Sequence, residues 1–96
     1  VCIVDLNQSQ IRSLQLNNLY NKFTSFGCNV IEVDGHDLKQ LSLAMDSRTK
    51  EAPLIIIANT VKGKGLNKLE NDMFAWHHRA PDDEEYNEFK KELNEK

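Results

Sequence analysis

The chain has 96 residues, 40% hydrophobic and 28% charged, with a formal net charge of −3. That length holds one small domain or a piece of a larger one. The acidic balance excludes electrostatic attraction to nucleic acid or an anionic membrane. The longest unbroken apolar run, residues 54–58, is far too short to span a bilayer, so no membrane segment is expected.

Two cysteines, Cys2 and Cys28, lie in apolar runs without CxxC or metal-like spacing. They are expected to be buried, reduced thiols, which suits a cytoplasmic protein. The chain opens on Val1, directly inside "VCIVD", and an upstream segment is expected to precede it.

In chain order, "VCIVD" reads as a buried strand, being apolar until Asp5. "LNQSQIRS" follows as a loop. Over residues 16–26 the apolar positions 16, 19, 20, 23 and 26 have helical spacing with one face inward. Gly27 ends that helix. "CNVIEVD" at 28–34 is a second strand and "DG" at 34–35 a turn. Asp37 is placed to cap a helix, with Gln40 three residues on to complete a capping box. Leu38, Leu41 and Met45 are expected on its inner side. "LIIIANT" at 54–60 reads as a strand covered on both faces. Residues 61–81 show no period and read as a long loop. From Pro81, "PDDEEY" starts a final helix, with its acids early and lysines late to suit the helix dipole.

Strands alternating with helices imply an α/β fold with a parallel sheet. In such sheets ligands bind outside the carboxyl ends of the strands. Three polar segments leave those ends: "DLNQSQ", "DGHD", and "TVKGKG" running on to "WHH". In the first, an Asn side-chain oxygen and a nearby main-chain carbonyl are hard ligands suited to Mg²⁺, though an Asn there is also a common turn residue. In "KGKG" the glycines admit close backbone approach and the lysines attract phosphate; a solvated loop is the plainer alternative. His77 and His78 offer acid/base or phosphate-donor groups, and His36 reads as a turn residue beside the helix cap.

Four segments, in order, carry a family resemblance: "IVDLNQSQ", "GCNVIEVDGHD", "LIIIANTVKGKG" and "LENDMFAWHHRAPDDEEY". They resemble "IVDYNxLQ", "GWxVxEVDGHD", "PxxIIAxTxKGKG" and "ENxxxWHGKAPxDEEY" of the N-terminal subunit, or diphosphate-binding domain, of transketolases. The resemblance covers essentially the whole chain. It implies a partial three-layer parallel sheet of the thiamine diphosphate-binding fold, β-α-β-α-β plus a C-terminal helix. Residues 1–96 would form the C-terminal part of that domain.

By the same resemblance, the parent protein moves a two-carbon ketol unit between sugar phosphates, using thiamine diphosphate and Mg²⁺ (or Ca²⁺). The fragment alone is expected to be inactive. Asn7 matches a metal ligand, and Ser9 the position whose main-chain carbonyl also binds the metal. Lys62 matches a lysine near the cofactor. His77 matches the histidine beside the cofactor diphosphate and sugar, and is the expected catalytic residue; His78 stands where a glycine is usual. A C-terminal subunit or domain is the implied partner, in a homodimer or heterotetramer. Residues 11–13, "IRS", depart from the family's "IDG". Its "GDG" segment, bearing the other metal ligand, has no counterpart here. A deoxyxylulose phosphate synthase-like enzyme and a non-catalytic interaction module retaining the fold are the alternatives.

Overall fold

The computed structural model describes residues 1–96, which divide into two compact units, Val1–Thr60 and Val61–Lys96. The first holds strand β1 (Cys2–Leu6), helix α1 (Leu19–Ser25), strand β2 (Asn29–Asp34), helix α2 (Leu38–Asp46) and strand β3 (Leu54–Asn59). The second holds helix α3 (Asn67–Asn71), a 3-10 turn at Ala75–His77 and helix α4 (Asp83–Asn94).

The sheet is parallel, in the order β1-β3-β2. Register aligns Leu6 with Asn59, and Asn59 with Asp34, so the three carboxyl ends leave one edge together. The architecture is α/β, consistent with part of a three-layer thiamine diphosphate-binding fold. The central strand is the apolar "LIIIAN" run, buried from Leu54 to Ala58. Ile56 and Ile57 both have 0% exposure. Consecutive strand residues point to opposite faces, so both faces of β3 are covered, as expected. On one face Leu54, Ile56 and Ala58 pack with Val33, Ile31, and Leu41 and Ala44 of α2.

The expectation that "VCIVD" is a buried strand is corrected. β1 is an edge strand, its Ile3 is exposed, and it has a strand neighbour on one side only. Its position leaves Cys2 exposed, while Cys28 is half-buried; both thiols are free. An apolar run reports the residues' preference, and only the pairing order decides which strand is central.

Helix α1 starts at Leu19 rather than at residue 16. Asn17 takes a left-handed conformation (φ 54°), and the Asn18 side chain accepts the Asn21 N–H at 2.8 Å as the cap. Its end is a Schellman motif around Gly27 (φ 80°). There the Cys28 N–H donates to the Phe23 carbonyl, and the Gly27 N–H to the Thr24 carbonyl. The expected inner face is only partial: Leu19 and Phe23 are half-buried, but Tyr20 is exposed and Phe26 is 86% exposed.

Asp37 caps α2, accepting from the Lys39 and Gln40 N–H groups. Those bonds, Gln40 first, hold its carboxyl below the ordinary value. The expected reciprocal half of the box is absent. Gln40 instead donates to the Asp37 carboxylate and accepts the Asp34 N–H. Leu41 and Ala44 face the core, whereas Leu38 is 83% exposed and Met45 is exposed. A complete capping box occurs at α4, between Asp82 and Glu85, one residue past the expected start at Pro81. The expected loop at 61–81 contains α3 and the 3-10 turn, too short to show a period. No helix is long and apolar enough to cross a membrane.

Candidate functional site

In the first unit, the end of β1 runs into a tight turn. Asn7 is half-buried and its amide is held at both corners. Its Nδ2 donates to Asp5 Oδ2 at 3.1 Å, and its Oδ1 accepts the Ser9 N–H at 2.9 Å. The second bond closes an Asx turn, which lets Gln8 between them sit at φ 64°. Thr60, just past β3, donates its hydroxyl to Asp5 Oδ1.

This turn offers two hard oxygens, Asn7 Oδ1 and the Ser9 main-chain carbonyl. A carbonyl oxygen has two lone pairs, so Oδ1 keeps one after accepting from Ser9. Hard oxygens suit Mg²⁺, whose octahedral shell takes about six and readily includes phosphate oxygens and water. No group of three or more His, Cys, Asp or Glu side chains is placed to hold a metal ion. The turn can therefore contribute two oxygens to a metal site shared with other groups, and is not a cage built by these residues alone.

In the second unit, Lys62 Nζ lies 2.8 Å from His77 Nδ1. An ammonium has three donors and no acceptor, so Nζ donates and Nδ1 accepts. That assignment puts the imidazole proton on Nε2. The adjacent rings of His77 and His78 meet edge-on, with centroids 4.4 Å apart. Gly63 (φ 80°) and Gly65 (φ 102°) shape the "KGKG" turn. The Gly65 N–H donates to Glu70 Oε1 at 2.8 Å, and the Lys96 ammonium donates to the Gly65 carbonyl.

The turn carrying His77 is pinned to α4. Trp76 meets Phe89 edge-on at 5.3 Å, and the Arg79 guanidinium lies 3.8 Å over the Trp76 ring. Arg79 grips Glu85 through two bonds, at 3.0 and 2.6 Å, and Lys68 reaches the same carboxylate at 3.0 Å. Those two cations, Arg79 first, pull the Glu85 carboxyl from 4.5 down to about 2. The same carboxylate raises the pKa of Lys68 and of Arg79.

The structure thus joins Lys62 with His77, and sets Asn7 beside Ser9 in one turn. Sequence reasoning missed Thr60 and the Arg79–Glu85 clamp. Asp5 and Thr60 are 55 positions apart, and no local pattern links them. The "S/T/D-x-x-E" spacing of Asp82 and Glu85 was the available signal for the second.

No family model and no solved structure matches the chain. Among curated proteins, it is 31% identical over 103 residues to an apulose-4-phosphate transketolase subunit of Phocaeicola vulgatus, covering 100% of this chain and 36% of that protein. It is 40% identical over 82 residues to transketolase of Mus musculus, covering 80% of this chain and 13% of that protein. The corresponding apulose-4-phosphate transketolase subunit of Actinobacillus succinogenes is 31% identical over 91 residues, covering 88% of this chain and 33% of that protein. The chain therefore spans about a third of the two bacterial relatives and a smaller share of the mouse enzyme. On these similarities and its parallel α/β sheet, the chain belongs to the transketolase family.

Proposed function

We propose that this chain is the C-terminal part of a thiamine diphosphate-binding domain in a transketolase. The whole protein would transfer a two-carbon ketol unit from a ketose phosphate to an aldose phosphate. The pairing of Lys62 with His77 is the observation that carries this reading. It leaves a cation from the glycine-bearing "KGKG" turn beside an Nε2–H donor from the 3-10 turn, a combination suited to phosphate and sugar oxygens.

Bound thiamine diphosphate supplies the carbanion chemistry, and the protein supplies binding, orientation and electrostatics. Asn7 Oδ1 and the Ser9 carbonyl contribute to holding Mg²⁺. Lys62 neutralises phosphate charge. His77 donates from Nε2 to a ligand oxygen and steadies negative charge that develops on it. These residues lack the family's other metal-ligating segment, so residues 1–96 by themselves are inactive. Both bacterial relatives are named as one subunit of a transketolase, which supports a second, separate chain as partner.

The test is ketol transfer by the full native protein, followed as donor loss and acceptor lengthening. Transfer that requires added thiamine diphosphate and Mg²⁺ is expected. Turnover of pyruvate in place of a ketose donor would move the reading to a deoxyxylulose phosphate synthase-like enzyme. Failure to bind the cofactor at all would leave a non-catalytic module.

A further inference from the structure

We propose that Asp5 and Thr60 are positioning residues that set which corner of the Asn7 amide faces Mg²⁺, an inference that rests on the metal role given to Asn7 above. An amide has oxygen at one corner and nitrogen at the other, alike in shape and opposite in function. Only Oδ1 can bind a hard cation; the flipped amide presents two N–H donors to it. The turn holds the amide with two partners of opposite type. The Asp5 carboxylate only accepts, and it takes Nδ2 at 3.1 Å. The Ser9 N–H only donates, and it takes Oδ1 at 2.9 Å. A flip would set oxygen against carboxylate and N–H against N–H, so this arrangement favours one orientation.

Asp5 is itself held from the sheet. The Thr60 hydroxyl donates to Asp5 Oδ1, leaving Oδ2 for Asn7. Thr60 directly follows β3, and its N–H donates to the Leu6 carbonyl at 3.3 Å. The orientation of Asn7 is thereby referred to the most buried strand in the sheet. Gly35 leaves room for this: a Cβ there would lie 2.4 Å from Thr60 Cγ2. Asp5 and Thr60 act through Asn7, as the outer partners of metal ligands commonly do.

The experiment measures the dissociation constant of Mg²⁺ for the full native protein saturated with thiamine diphosphate, by titration calorimetry. Asn7→Ala and Thr60→Val are expected to weaken binding by about 10-fold or more. Thr60→Ser, which restores the hydroxyl, should return to near wild type. The double variant should bind no more weakly than Asn7→Ala alone, because the relay has nothing left to orient. Wild-type affinity in Thr60→Val, or a loss that adds in full to that of Asn7→Ala, overturns the proposal while leaving Asn7 as a ligand. Unchanged affinity in Asn7→Ala overturns the metal role of Asn7 instead, and the relay with it. Asp5→Asn, read in the same cycle, decides the question should Thr60→Val fail to fold.

Discussion

Lys62 Nζ donates to His77 Nδ1 at 2.8 Å, across fifteen positions of chain. The contact leaves Nε2 as the proton-bearing nitrogen, free to donate to a ligand. Lys62→Met removes that donor and the tautomer preference it imposes. In the full native protein we expect kcat/KM to fall about 10- to 100-fold, the usual scale for losing a charged hydrogen bond. The circular dichroism spectrum should be unchanged. Wild-type kinetics in Lys62→Met would remove the pair from the site.

Glu85 is buried under Arg79 and Lys68 and titrates near 2 rather than at 4.5. A carboxyl depressed in the folded state stabilises it fully above the unfolded value, and that contribution is lost as pH falls through the folded value. The loss here runs from about pH 4.5 down to 2. Thermal midpoints measured across this window should drop more steeply for wild type than for Glu85→Gln, which has no such carboxylate to protonate. Parallel curves would show that the clamp does not stabilise the second unit.

Gly63→Ala should destabilise the "KGKG" turn for two reasons. The residue sits at φ 80°, and an added Cβ would lie 2.3 Å from Leu69 Cβ. Strain of this kind costs about 1–3 kcal/mol. Gly65→Ala is the comparison, since at φ 102° its Cβ would meet only Leu93 Cδ2, at 3.8 Å. Urea unfolding should therefore rank Gly63→Ala below Gly65→Ala, and the reverse order would reject the steric account.

Ile56→Ala removes a side chain with no exposure from the middle of β3. The expected loss is about 2–5 kcal/mol, from transfer and the cavity left behind. Ile3→Ala, on edge strand β1 and 55% exposed, should cost less than about 1 kcal/mol. Equal losses in chemical denaturation would contradict the assignment of β3 as the central strand.

Much of the first unit is legible in the order of its residues. The "LIIIAN" run, the Asp37 cap and the Gly27 stop depend on residues a few positions apart, so local physics suffices for them. The motif order supported the family, and it placed Asn7, Ser9, Lys62 and His77 as candidates. The burial of β1 and the inner line of α2 were misread, because apolar spacing names a face without saying what stands opposite it. Thr60 at Asp5, Lys62 at His77, and Arg79 between Trp76 and Glu85 were decided only by the tertiary structure. The first two join polar groups far apart in the chain, and such a bond depends on where the backbone returns rather than on any pattern within one segment.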